Sequence, residues 1–160
     1  MAGSEKEIII CFGEMGSGKS YWGKQIAKDL GYNFFEGDDA VPSEMAAKVS
    51  AFKFIPREMI EDFVWILSTH ISHHTALSEK GLVVSQALYT NKDRLLLKSI
   101  LEKHGYKITF YWIRTTFFKN LTQICHRPRG FRWALYWLMS KPWFEKPTHE
   151  TIEWGGILEK

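Results

Sequence analysis

Residues 7–31 read EIIICFGEMGSGKSYWGKQIAKDLG, and this stretch decides which fold is predicted for the chain. Its first six residues form a β-branched apolar run, which is typical of a buried strand in a parallel sheet. A glycine-rich octapeptide follows, and after it Trp22, Ile26 and Leu30 recur at the spacing of one helical face. Gly31 is suited to end that helix. The stretch therefore predicts a strand, a glycine-rich turn and a helix in direct succession.

The octapeptide Gly13–Ser20 matches the pattern G-x-x-x-x-G-K-[ST] in full. Its glycines are expected to turn the backbone with positive φ, so that successive N–H groups and the helix N-terminus face an anion. Lys19 is expected to reach the β- and γ-phosphates, and the Ser20 hydroxyl to bind Mg²⁺. The sequence therefore predicts a site for ATP and Mg²⁺. The predicted nucleotide-binding residues of this loop are Gly13, Glu14, Met15, Gly16, Ser17, Gly18, Lys19 and Ser20.

Strands and helices alternate along the rest of the chain. Strands are predicted at 32–36, 81–85, 107–113 and 151–154, and helices at 43–50, 56–78, 91–104 and 115–126. Such alternation indicates an α/β fold of three layers, in which helices cover both faces of a central parallel sheet of four to five strands. We predict one domain over residues 1–160.

Length and composition exclude several protein classes. The chain has 160 residues, of which 45% are hydrophobic and 24% charged, and this excludes collagen-like, mucin-like and disordered chains. Two cysteines give no disulfide framework. The N-terminus lacks the pattern of a signal peptide, and no apolar run reaches the roughly 18 residues of a membrane span. We therefore expect a cytoplasmic protein without a transmembrane segment.

Charge and aromatic residues concentrate in residues 126–146. This segment contains five Lys and Arg residues against Glu145 alone, together with six Phe, Tyr and Trp residues. Interleaved arginines and aromatic rings could bind single-stranded nucleic acid. Residues 131–144 could instead dock on a membrane surface or a partner protein. A plain packing role for the segment is a third interpretation.

Other proteins with such phosphate loops carry signals that this sequence lacks. It has neither the N-K-x-D nor the D-x-x-G of switch GTPases, and the predicted third strand ends in Val84-Ser85-Gln86 without the acid usual in motor ATPases. A short chain with one loop fits a small-molecule or nucleotide kinase best.

Residues 8–147 resemble the gluconokinase and shikimate kinase branch of the nucleoside-monophosphate-kinase-like fold. The stretch FFEGDDAVP at 34–42 is similar to the gluconokinase segment that ends strand 2, although Val41 replaces its histidine. VSQALY at 84–89, followed by Arg94, resembles the segment after strand 3. RGF at 129–131 and SKPWFEKP at 140–147 resemble the lid and the residues that follow it.

The resemblance implies a role for each matched residue. Asp38 takes the place of the acceptor-side carboxylate, which orients or deprotonates the attacking hydroxyl, and Arg57 lies where shikimate kinases grip an acceptor carboxylate. Residues 126–146 become the lid. In it Arg129 is expected to stabilise the transferred phosphoryl group, Arg127 to contact the nucleotide and Arg132 to contact the acceptor.

The function predicted on this basis is transfer of the ATP γ-phosphoryl group to a hydroxyl of a small polar acceptor, such as a sugar acid or a cyclitol. Lys19, Asp38 and Arg129 are its predicted catalytic residues. Two alternatives stay open. One is a nucleotide-binding sensor or degenerate kinase that docks a partner through its aromatic lid, and the other is a kinase of nucleosides, nucleotides or polynucleotide ends.

Overall fold

A computed structural model describes residues 5–148 and the backbone of residues 154–159. Strands and helices alternate along the described chain, as the sequence predicts. They are β1 (Glu7–Phe12), α1 (Lys19–Leu30), β2 (Asn33–Glu36), α2 (Ser43–Ser50), α3 (Arg57–Ala76), β3 (Leu82–Ser85), α4 (Asn91–Lys103), β4 (Lys107–Arg114), α5 (Phe117–Cys125), α6 (Gly130–Ser140) and β5 (Trp154–Glu159). Short 3₁₀ turns at Gly37–Ala40 and Lys141–Trp143 follow β2 and α6.

The strands form one parallel sheet in the order β2-β3-β1-β4-β5. The predicted parallel sheet of four to five strands is therefore confirmed. A last strand was expected at 151–154, of which residues 151–153 lie outside the described residues; the strand observed there is Trp154–Glu159. Strand β1 lies at the centre between β3 and β4, so the loop that follows it opens at the middle of the sheet's carboxyl edge. Ligands of open parallel sheets bind at this edge.

Side chains of β1 alternate between the two faces of the sheet, which explains why its whole run is apolar. Ile8, Ile10 and Phe12 pack in the larger core with residues of α3 and α4, such as Leu67 and Leu97. Ile9 and Cys11 pack on the opposite face, beside α1. Helices on both faces complete the three-layer α/β fold. No helix in residues 5–148 is long and apolar enough to cross a membrane.

Local signals in the sequence fix several helix ends. Gly31 adopts a left-handed φ of 67° at the end of α1, where its N–H group contacts the last carbonyls. Thr90 caps α4 by accepting a hydrogen bond from the Asp93 N–H group, and Thr116 caps α5 in the same way through Lys119. These caps set where α4 and α5 begin, and α5 leads into the lid.

Helix α5 and the lid helix α6 share a small core, built from Ile124, Ala134 and Trp137, against which Met15 of the phosphate loop packs. The chain leaving the lid is held by Arg94. This buried guanidinium donates to the carbonyls of Leu88 and of Glu145, the latter at 2.6 Å, and lies 4.7 Å from the centre of the Phe12 ring. Burial lowers the pKa of Arg94 to about 10. We call the contacts of Arg94 and Phe144 the lid anchor, because they fix the lid's C-terminal end to the core.

Candidate active site

The phosphate loop lies between the carboxyl end of β1 and the first turn of α1. Gly16 and Gly18 have φ values of 77° and 95°, a backbone region that side chains rarely adopt. A Cβ atom on Gly16 would also lie 2.2 Å from Oδ1 of Asn120 on α5. Gly18 occupies the N-cap position of α1, so the free N–H groups of this helix open toward the loop. The loop therefore has the geometry of an anion cradle.

Gly13 acts differently from what the sequence predicts. It was expected to supply a positive φ, but within the described chain the positive-φ glycines of this loop are Gly16 and Gly18. A Cβ atom on Gly13 would instead lie 2.4 Å from the carbonyl oxygen of Ile113 on β4. Gly13 is thus required for the close approach of the loop to the neighbouring strand.

Lys19 points back over the loop, where its Nζ atom donates to the Glu14 carbonyl at 2.8 Å. Burial lowers the pKa of Lys19 to about 8, against the carboxylates of Asp38, Glu36 and Glu14, which favour its charged form. The Arg127 guanidinium lowers this pKa further. The half-buried Lys19 ammonium donates to a backbone carbonyl, a bond that it can exchange for one to an anionic ligand.

Asp38 lies in the 3₁₀ turn after β2, on the acceptor side of the loop. Asp38 is exposed as a whole residue, but desolvation of its carboxylate by the surrounding groups disfavours the charged form and raises the pKa of Asp38. Glu36 acts in the same direction, and Lys19 and Arg127 oppose it. The charges of Asp38 and Arg127 act on Lys19, and those of Lys19 and Arg127 act on Asp38, so the fold places these three predicted residues in one region of the molecule.

Glu36, the last residue of β2, is a site residue to which the sequence reasoning gave no role. Its carboxylate accepts a short hydrogen bond from the Ser85 hydroxyl at the end of β3. Ser85 Oγ lies 3.5 Å from Ser20 Oγ, the predicted Mg²⁺ ligand. Hydroxyl and carboxylate oxygens are the ligands that Mg²⁺ prefers. An acid at the end of β2 therefore supplies the carboxylate that β3 lacks.

The side chain of Glu14 connects the phosphate loop to the lid. Its carboxylate accepts a 2.8 Å hydrogen bond from Nε1 of the buried Trp137 and lies 3.2 Å from Nζ of Lys141. Trp137 also packs against Phe117 of α5, with 5.2 Å between the ring centres. We call these contacts of Glu14 the lid latch. One tryptophan of the aromatic segment 126–146 thus connects that segment to the phosphate loop.

The predicted lid arginines lie in different environments. Arg127 is the one whose charge acts on both Lys19 and Asp38. Arg129 is exposed and begins α6 with a left-handed φ of 58°. Arg132 lies over the Phe52 ring, 4.9 Å from its centre. Among the three, Arg127 is thus the one whose charge acts on Lys19 and Asp38, whereas the sequence analysis assigned catalysis to Arg129.

Arg57 begins α3 and is already paired with two carboxylates. It donates to Asp93 at 2.6 Å and to Glu61 at 3.1 Å. Asp93 is buried and also accepts a hydrogen bond from the Thr90 hydroxyl. Hydrogen bonding to Asp93 raises the pKa of Arg57. In this arrangement Arg57 joins α3 to α4, and an acceptor carboxylate would have to compete with both partners.

Aromatic rings join the α2–α3 connection to the lid. Phe52, with a φ of 56°, packs edge-on against Trp133 and Tyr136 at ring-centre distances of 4.8 and 5.9 Å. Tyr136 in turn lies near the Tyr89 hydroxyl, whose pKa is raised chiefly by burial. A positive φ in a residue other than glycine costs about 1 kcal/mol, so this ring contact holds a strained turn in place.

Sequence comparison identifies related kinases over the first half of the chain. A family model described as shikimate kinase matches residues 15–86. A probable gluconokinase of Xenopus tropicalis is 49% identical over 83 residues, which are 51% of this chain and 43% of that protein. The chain thus spans less than half the length of this curated relative.

Solved structures agree in fold over nearly the whole chain. A gluconokinase from Sinorhizobium meliloti aligns with a TM-score of 0.74 at 24% identity, covering 96% of this chain and 82% of that one. A sugar kinase from a Janibacter species aligns with a TM-score of 0.75 at 15% identity, covering 96% and 85%. The predicted resemblance to gluconokinases and shikimate kinases is therefore confirmed, and the fold is that of P-loop kinases.

Proposed function

We propose that this chain is an ATP-dependent kinase that transfers the γ-phosphoryl group to a hydroxyl of a small polar acceptor, a sugar acid or a cyclitol. The observation that carries the proposal is the phosphate loop with Lys19 folded over it, close enough to Asp38 and Arg127 for the charges of both to act on the Lys19 pKa. Phosphoryl transfer needs cations around the transferred group and a carboxylate at the attacking hydroxyl. The three residues supply both.

The loop fits ATP and Mg²⁺ in its chemistry. Gly16 and Gly18 take the positive φ that an anion-binding loop needs, and the Ser17 hydroxyl is buried without a hydrogen-bond partner among the described residues. Ser20 would hold Mg²⁺, with Glu36 and Ser85 beside it. When bound, the metal supplies charge neutralisation at the β- and γ-phosphates. Lys19 would exchange its bond to the Glu14 carbonyl for one to a phosphate oxygen.

Asp38 is assigned to the acceptor. Its raised pKa suits a group that accepts a proton from a hydroxyl as that hydroxyl attacks phosphorus, with ADP as the leaving group. Arg127 is placed to stabilise negative charge on the transferred group, and the latched lid excludes water from the site. Arg129 and Arg132 stay assigned to the transferred group and the acceptor, as the sequence predicts.

The test is a measurement of ADP release from Mg-ATP across sugar acids, cyclitols, nucleosides and 5′-hydroxyl oligonucleotides. We expect a sugar acid or cyclitol to stimulate turnover. Asp38→Asn should lower that turnover by about 10²-fold or more, since general-base catalysis contributes about 10²–10⁴-fold. The matched control is Asp39→Asn at the neighbouring exposed residue, which should keep most of the activity.

Each other outcome identifies another function. Stimulation by nucleosides or oligonucleotides alone would indicate a kinase of nucleic-acid components. ATP binding without stimulation by any acceptor would contradict the kinase and favour a nucleotide sensor. Equal losses in Asp38→Asn and Asp39→Asn would remove Asp38 from its assigned role.

A further inference from the structure

The outer face of α6 carries four large apolar side chains exposed to solvent. Phe131, Leu135, Leu138 and Met139 are 81%, 51%, 43% and 64% exposed. They lie at the spacing i, i+4, i+7 and i+8, which places them on one side of the helix, opposite Ala134 and Trp137. We call these four residues the outer face. Apolar residues of this size clustered on one helix mark an interaction surface.

The chain around the outer face is cationic. Residues 115–144, which contain α5 and α6, include five Lys and Arg residues and no Asp or Glu. On α6 and just before it, Arg129 and Arg132 are exposed, and exposed Phe118 lies one residue before Lys119 on α5. The chain as a whole has a net charge of only +3, so the remaining residues sum to a negative charge. The positive charge is therefore concentrated beside the apolar surface.

The exposed apolar side chains and the positive charge beside them together indicate what kind of partner binds the outer face. A second copy of the chain would bring one cationic surface against another, which charge repulsion disfavours. Single-stranded nucleic acid is anionic, but it stacks on flat rings, whereas three of the four outer-face side chains are aliphatic. An anionic bilayer offers both a negative surface for the arginines and an apolar layer for Leu135, Leu138 and Met139.

We propose that the outer face of α6 docks on membranes that contain anionic lipids. Phe131, Leu135, Leu138 and Met139 enter the boundary between headgroups and acyl chains, while exposed cations of α5 and α6 contact the anionic headgroups. The opposite side of α6 keeps its contacts with Glu14, so docking leaves the lid latch in place. The association is interfacial and reversible, because an 11-residue helix buries a limited apolar area.

The experiment is co-sedimentation of the full chain with vesicles of phosphatidylcholine alone and of equimolar phosphatidylcholine and phosphatidylglycerol. We expect binding to the anionic vesicles only, and a marked loss when salt rises from about 0.05 to about 0.5 M. The double variant Phe131→Ser/Leu135→Ser should bind at least tenfold more weakly. The matched control is Leu77→Ser, which removes a side chain that is 74% exposed at the far end of α3 and should bind like the original chain.

Several results would overturn the proposal. Among them are failure to bind anionic vesicles at low salt, and binding that the double variant leaves unchanged. Tighter retention of oligothymidine than of anionic vesicles would indicate a nucleic-acid surface. Self-association in sedimentation velocity that the double variant abolishes would indicate a second copy. Thermal unfolding of both variants checks that each is folded, and exposed positions should tolerate serine.

Discussion

Trp137 Nε1 donates a 2.8 Å hydrogen bond to the Glu14 carboxylate, and this bond joins the lid to a residue inside the phosphate loop. Glu14 is one of the positions that the loop motif leaves variable, yet its backbone carbonyl also accepts from Lys19. One residue therefore contacts both the phosphate-binding cation and the buried tryptophan of α6. A ligand that draws Lys19 away from Glu14 changes the loop at the point where the lid is attached.

Replacing Trp137 by Phe tests the latch. The substitution keeps an apolar ring against Phe117 and removes the donor to Glu14. A hydrogen bond to a charged acceptor contributes about 1.5–3 kcal/mol, so the free energy of unfolding should fall by about 2 kcal/mol. Urea denaturation measures this loss. Trp133→Phe is the matched control, since Trp133 packs against the rings of Phe52 and Tyr136 and against the core of α5 and α6, contacts that a phenylalanine largely keeps, and it should lose less than about 1 kcal/mol. Equal losses in the two variants would contradict the latch.

Nucleotide binding should be accompanied by proton uptake near pH 8. The pKa of Lys19 is about 8 in the free protein, and phosphate oxygens beside Nζ will raise it, so a fraction of neutral Lys19 gains a proton on binding. Calorimetric titration of Mg-ADP at pH 8 in buffers of different ionisation enthalpy measures the uptake. We expect it to vanish at pH 6, where Lys19 is already charged.

Two variants test whether Lys19 is the group that takes up the proton when the nucleotide binds. Lys24→Met removes an exposed cation of the same helix and should keep the uptake. Asp38→Asn removes a carboxylate that favours charged Lys19, so the midpoint of uptake should move to lower pH. An unchanged midpoint in Asp38→Asn would contradict the coupling between the two groups.

The lowered pKa of Lys19 also predicts how the free energy of unfolding depends on pH. The folded value for Lys19 lies below the ordinary value of 10.5, so between about pH 8 and 10.5 the unfolded chain holds more of this proton. The contribution of Lys19 to the free energy of unfolding therefore rises with pH across that window and is unfavourable below it. Lys19→Met should raise the melting temperature of the nucleotide-free protein at pH 7 and abolish stabilisation by Mg-ATP. A lower melting temperature for this variant would contradict the burial of a poorly compensated charge.

Arg57→Met separates a structural role from acceptor binding. Loss of the guanidinium leaves the buried Asp93 carboxylate with the Thr90 hydroxyl as a remaining partner. We expect a loss of about 2 kcal/mol in the free energy of unfolding, less than for a fully buried pair because Arg57 is partly exposed. Adding Asp93→Asn should restore part of it. Lys92→Met, at the exposed partner of Glu61, should cost less than about 1 kcal/mol. A raised KM for acidic acceptors with unchanged stability would instead assign Arg57 to the acceptor.

Much of the fold could be predicted from the sequence because its signals are local. The apolar run 7–12, the turn with positive φ at Gly16 and Gly18 and the helix end at Gly31 each act through neighbours in the chain, and the structure has these elements where they were expected. The order of strands in the sheet follows from none of these signals, because it depends on pairing between distant segments.

The site was harder to predict because its geometry is tertiary. Glu36 reaches Ser20 through Ser85, which lies 49 residues away in sequence on the neighbouring strand. Its position at the end of a predicted parallel strand was the available signal. Sequence spacing also could not show which lid arginine acts on the phosphate loop. Arg127 and Arg129 are only two residues apart, and their environments differ because the chain turns into α6 at Arg129.

The lid anchor sets the kind of motion that opening can involve. The lid leaves the core after β4, at Thr115, and returns to it at Phe144, whose ring stacks between Phe12 and Trp112. A segment that is fixed to one rigid body at both ends moves by rotation about the line that joins its two attachments. Rotation about that line separates Trp137 and Lys141 from Glu14 of the phosphate loop, so opening of the lid breaks the latch.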